Sequence, residues 1–180
     1  DTGVHFVHWI LNSVPPPTFA RSARWDDSIR VDRWADFEYI APASVVQWTG
    51  SLEVGRGAEE DRTQPGGFNI RVYHGVTPET EDSCHYFWTA ANGHRPAEPE
   101  TTAALHQEVL ETFMEDLVVL EQQHDCLKAT GDAALIDVKH DVARRPARRA
   151  LVLEGFEALL DARVGVSEPQ PSQNVGDSQR

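Results

Sequence analysis

Cysteine, methionine and basic residues are all in short supply in this sequence. Cys84 and Cys126 are its two cysteines and Met114 its one methionine, in a chain of 180 residues. Two cysteines are too few for a disulfide scaffold, and neither has zinc-knuckle spacing. That usage points to a reducing, cytoplasmic setting. No run approaches the roughly 20 apolar residues of a membrane span. The 16 Lys and Arg are outnumbered by 29 Asp and Glu, a formal net charge of −13. A surface of that sign repels phosphate backbones and anionic headgroups, which argues against nucleic-acid and membrane partners. Gly-rich phosphate loops and nucleophile elbows are missing as well. The sequence opens at Asp1 inside a β-like pattern and without Met, so the chain is expected to be processed or part of a longer product.

What is present is ordinary globular material, 40% hydrophobic and 25% charged, enough for one domain with a real core. Five runs read as strands. Val4 and Phe6 lead a run to Leu11, closed by Asn12-Ser13 and the stiff Pro15-Pro16-Pro17. A second run covers Ile29 to Tyr39. In the third, Val46, Trp48, Leu52 and Val54 alternate with polar residues, the period of two expected of a half-buried strand. The acidic stretch from Gly55 to Gly67 is expected to be a long mobile loop. Phe68, Ile70, Val72 and His74 share one face of a fourth run, and a fifth spans Ser83 to Ala91. Turns rather than helices join these runs, which predicts an antiparallel sheet.

After Gly93 the period changes. Pro96 to Thr102 has the composition of a helix start, and Thr101 to Ala129 runs without Pro or Gly to a stop at Gly131. Pro146 opens a shorter helix through Leu151, Leu153, Phe156, Leu159 and Leu160. The predicted fold is α+β: a curved antiparallel sheet gripping a long C-terminal helix in a helix-grip, START-like arrangement, with a second, shorter helix. Residues 1–163 form the domain and 164–180 a disordered tail. A sheet that grips a helix is expected to enclose a cavity for a small apolar molecule.

On a helical wheel at about 100° per residue, Leu105, Val109, Phe113 and Leu120 form one stripe, and Asp116 falls in its middle. Glu108, Glu111 and Glu115 fall on the solvent side. A buried, unpaired carboxylate is costly, so Asp116 calls for compensation. A cation is one answer; partial exposure or an arginine such as Arg71 is another.

Further residues resemble a family. Thr77-Pro78-Glu79-Thr80-Glu81, then His85-Tyr86-Phe87-Trp88, then Phe113-Met114-Glu115-Asp116 with Leu120-Glu121-Gln122-Gln123 form an ordered series. It resembles the C-terminal catalytic domain of Rieske-type non-haem iron oxygenases of the vanillate O-demethylase oxygenase-like branch. Trp9 leading into the tri-proline stretch and the helix from Arg148-Arg149 to Glu154 extend the match over about residues 3 to 162. The resemblance implies a mononuclear Fe(II) held by two histidines and a carboxylate, and the carboxylate would be Asp116. It also implies a small aromatic substrate such as a methoxybenzoate, O₂, a reductase as electron donor, and a homotrimer. The [2Fe–2S] cluster of that family needs a Cys-x-His…Cys-x-x-His pattern. Cys84 is followed by His85 and Cys126 by Leu127, so that site lies outside this chain. The family's iron histidines are spaced His-x4-His; His5-Phe6-Val7-His8 departs from this and reads as strand. The Rieske part and both iron histidines are thus expected upstream of Asp1, and the 180 residues alone are expected to be inactive.

His74 and His85 remain. Each is either a satisfied core histidine or a pocket residue donating a hydrogen bond to an aromatic carboxylate or phenol, beside Phe113 and Val109. A triad of His74, His85 and Asp116 is the rival arrangement, and the family pattern speaks against it. Trp25, Trp34, Trp48 and Trp88 are expected in the core, and Arg144, Arg145, Arg148 and Arg149 at a solvated helix start. The competing functional reading is a START-like module that binds a small apolar ligand and does no redox chemistry. In that case Asp116 is dispensable.

Overall fold

The structure, a computed structural model, describes residues 3–130 and 143–153. Its elements are β1 (Gly3–Ser13), α1 (Pro17–Ala23), β2 (Val31–Ile40), β3 (Ser44–Glu53), β4 (Phe68–Pro78), β5 (Cys84–Asn92), α2 (Pro99–Thr130) and α3 (Arg144–Leu153). The strands form one antiparallel sheet in sequence order, β1 to β5. Each strand pairs with the next; turns or one loop join β2 to β5, while helix α1, which the sequence reading did not expect, lies between β1 and β2.

Alternation gives the sheet two different faces. On one, Phe68, Ile70 and Val72 of β4 pack with Ala23 of α1 and Leu105 of α2, flanked by Phe19, Trp25, Val109 and Phe113. Leu105 is 2% exposed, and burying a leucine side chain contributes about 2 kcal/mol. On the other face Trp34, Leu52 and Ala58 form a second core with Val7, Trp9 and Trp48. Gly50 of β3 is needed there, because a Cβ at that position would collide with the Trp34 ring and the Phe68 carbonyl.

Four sequence expectations change. The tri-proline stretch does not simply end β1: Pro17 starts α1, where its fixed φ and missing N–H suit a first helical position. Phe19 of that helix stacks on Phe68 at 3.9 Å between ring centroids. Between β3 and β4 the loop is pinned rather than mobile. Ala58 is buried, and Arg62 reaches Asp36 at 2.7 Å while stacking over Trp48. Strand β4 continues through Gly75 to Pro78, leaving a tighter turn before β5. Glu108 does not face solvent freely, since Arg21 of α1 holds it through two hydrogen bonds of 2.6 and 3.0 Å.

The shorter helix begins at Arg144, with Pro146 in its first turn, and packs against β1. Gly131, Phe156, Leu159, Leu160 and the expected tail 164–180 lie outside the described residues. No helix among the described residues is long and apolar enough to cross a membrane.

Candidate metal and substrate site

The candidate site is built on the β4–β5 hairpin and the middle of α2. His74 pairs with Trp88 and Val76 with Tyr86 across the hairpin. Opposite residues in an antiparallel pair share a face, so His74, Tyr86 and Trp88 project to the same side. Helix α2 lies over that side, and Phe113 meets all three rings. Its centroid is 5.6 Å from His74, 5.9 Å from Tyr86 and 5.1 Å from Trp88. Val109, one turn earlier, belongs to the core beneath.

A chain of hydrogen bonds leads away from this cluster across the sheet. The Tyr86 hydroxyl is 2.6 Å from His74 Nδ1, His74 Nε2 is 3.2 Å from Gln47 Oε1, and Gln47 Nε2 is 2.6 Å from Thr49 Oγ1. Gln47 and Thr49 come from β3, on the same face by register. Burial holds the His74 imidazole below its ordinary pKa of 6.5, so the ring is neutral at pH 7. Burial also raises the Tyr86 phenol, and the Asp116 carboxylate nearby raises it further.

Asp116 stands one turn beyond Phe113 on the same stripe of α2, but it is exposed. The burial expected from the wheel is not what the structure shows. Asp116 is near enough to Tyr86 to influence its phenol, and at the far end of the helix His124 and Lys128 reach Asp82, in the turn before β5, at 3.4 and 2.7 Å. Met114, Leu117, Val118, Val119 and Leu120 are exposed between Phe113 and that end, Leu120 by 59%. Among the described residues Asp116 makes no ion pair or side-chain hydrogen bond. Arg71, the possible neutralising partner, stacks on Trp48 at 4.2 Å on the opposite face of the sheet.

His85 is not brought to this site. It shares the outer face with Phe87, ring centroids 6.2 Å apart, and lies 3.6 Å from Glu79. The register of β4 with β5 puts His85 on the face opposite His74, so the structure does not bring His74, His85 and Asp116 together as a triad. Among the described residues no three His, Cys, Asp or Glu side chains converge on a point that could hold a metal. Asp116 nevertheless fits one role in an iron site: an accessible carboxylate with free oxygens, set beside an aromatic cluster.

Sequence reasoning missed Gln47, Thr49 and the part played by Tyr86. For Tyr86 the signal was available, because it shares parity with Trp88 and sits diagonally from His74 once the hairpin register is known. A cleft lies elsewhere among the described residues. It measures about 380 Å³, is lined by Ala23, Gly66, Gly67, His94, Arg95 and Glu98, and sits about five helical turns before Asp116.

Residues 1–152 match the family described as the vanillate O-demethylase oxygenase C-terminal domain. The vanillate O-demethylase oxygenase subunit of Pseudomonas sp. (strain ATCC 19151) is 32% identical over 139 residues, covering 76% of this chain and 42% of the relative. A putative toluene-4-sulfonate monooxygenase system iron-sulfur subunit of Comamonas testosteroni is 29% identical over 163 residues, 91% of this chain and 45% of its own length. The chain thus spans less than half the length of these curated relatives. Among solved structures, dicamba monooxygenase bound to 3,6-dichlorosalicylic acid superimposes with a TM-score of 0.72 at 25% identity, over 88% of this chain and 46% of that one.

Proposed function

The chain belongs to the vanillate O-demethylase oxygenase C-terminal domain family, and on that premise we propose that it is the catalytic-domain part of a Rieske-type non-haem iron oxygenase. Its substrate is a small aromatic compound such as a methoxybenzoate, attacked by O-demethylation or ring hydroxylation. Residues 1–163 form the domain. The observation that carries the reading is the position of Asp116: a free carboxylate beside Tyr86, within a turn of the Phe113 ring that covers His74.

Asp116 would hold Fe(II) together with two histidines from outside these 180 residues, and its charge would offset part of the metal's. Bound there, Fe(II) supplies the site for O₂ binding and activation. The [2Fe–2S] cluster and its ligands likewise lie outside the chain. A separate reductase supplies electrons, the whole protein is a homotrimer, and its setting is cytoplasmic. The residues present do the placing. Phe113, Trp88 and Val109 offer an apolar wall for an aromatic ring, and His74 offers a hydrogen bond to its carboxylate or phenol oxygen. Such placement, with water excluded, is the larger part of what a protein contributes around a reactive cofactor.

The test is turnover by the full-length protein with a reductase, O₂ and a methoxybenzoate. O-demethylation converts the methoxy carbon to formaldehyde and leaves a phenol, taking up O₂, two electrons and two protons and releasing one water. Formaldehyde or a hydroxylated ring is expected. Tight binding of the aromatic acid with no oxidised product, under conditions where the cluster is reduced and reoxidised, would favour the START-like binding module instead.

A further inference from the structure

We propose that Tyr86 is a positioning residue: its hydroxyl donates to His74 Nδ1 and so fixes His74 as the Nε2–H tautomer, with that proton aimed along the sheet. A neutral imidazole has one donor and one acceptor nitrogen, and its partners decide which is which. The contact between the Tyr86 hydroxyl and Nδ1 is 2.6 Å. An imidazole nitrogen is a far better proton acceptor than a neutral phenol oxygen, so the phenol is the donor. Nε2 then carries the proton and donates to Gln47 Oε1, at 3.2 Å. Gln47 Nε2 in turn donates to Thr49 Oγ1, at 2.6 Å. Every group in the row is used once, with one consistent direction from Tyr86 to Thr49.

The surroundings favour a held ring. His74 and Tyr86 stand nearly parallel, 17° apart, and Phe113 packs against both. The Gln47 contact is the longer and weaker of the two bonds to the imidazole, so it is the one an incoming acceptor displaces. The ring would then meet the anionic head of an aromatic acid with N–H rather than with a lone pair. This consequence rests on the function proposed above; the tautomer does not.

The experiment is long-range ¹H–¹⁵N spectroscopy of the His74 imidazole in the ¹⁵N-labelled chain, with Tyr86→Phe as the variant. Phenylalanine keeps the packing on Phe113 and removes only the donor. Wild type is expected to show a single Nε2–H tautomer, and the variant a mixture or a move of the proton to Nδ1. A wild-type spectrum with the proton on Nδ1 overturns the proposal without any variant, and an unchanged pattern in Tyr86→Phe overturns it as well. Benzoate is then titrated into both. A response of Nε2 in wild type, with binding weakened by up to about tenfold in Tyr86→Phe, the change that loss of ~1.4 kcal/mol produces, links the lock to ligand binding. An Nε2–H tautomer that ignores benzoate contradicts the proposed role of His74 in substrate binding and leaves the lock standing.

Discussion

Among the described residues Asp116 has no ion pair or side-chain hydrogen bond, and it is exposed; both facts bear on what its removal does. A charge in that position stabilises nothing in the fold, so Asp116→Asn in the isolated chain is expected to change stability by less than about 0.5 kcal/mol, read from urea denaturation. A loss of several kcal/mol would mean that the carboxylate is a structural group. His94 behaves in the opposite way. Its Nδ1 lies 3.1 Å from the Asn69 carbonyl, and burial, the largest influence on it, holds its pKa below the ordinary 6.5. The unfolded chain therefore takes up a proton where the folded chain does not. Stability is full above the unfolded pKa and falls as pH drops through about 6.5 towards the lowered folded value. His74 shifts in the same direction and adds to the effect. The urea midpoint is expected to decline across that window, with a smaller decline in His94→Asn; a flat midpoint contradicts the account.

Helix α2 has two halves with different physics. Leu105 is 2% exposed and Leu120 is 59% exposed, although one wheel stripe contains both. Leu105→Ala is expected to cost about 2–5 kcal/mol through lost burial and the cavity left behind. Leu120→Ala is expected to stay within about 0.5 kcal/mol in the isolated chain. Equal effects would show that the far half of the helix is packed in solution. The same contrast marks where reading the sequence succeeds. Apolar runs bounded by turn residues marked the five strands, and period two shaped the third and put His74 with Phe68, Ile70 and Val72 in the fourth, because a strand's alternation is a local property. Period 3.6 gave the helix, the stripe and Asp116. It could not give burial, which depends on what lies opposite, and Leu120 is exposed. His85 was misplaced for a related reason. Parity put it with Phe87, but only the register with β4 shows that this pair faces away from α2. Helix α1 went unread because its signal, Pro17 at a first helical position, sits in a stretch whose prolines also read as a rigid break.

The described residues form an open sheet with a core on each face, one covered by α1 and the first half of α2, the other by the loop from Gly55 to Gly67. Among the described residues no three metal-ligating side chains converge. The matched residues cover 42% and 45% of two curated relatives. The isolated chain is accordingly expected to retain no stoichiometric iron after desalting. The central claim is that Asp116 is the one ligand these residues supply to a mononuclear iron. The most direct test is the iron content of the full-length protein carrying Asp116→Ala, with the spectroscopic signal of the [2Fe–2S] cluster as internal reference. Loss of the mononuclear iron with the cluster signal intact is the predicted result; iron unchanged from wild type would contradict it.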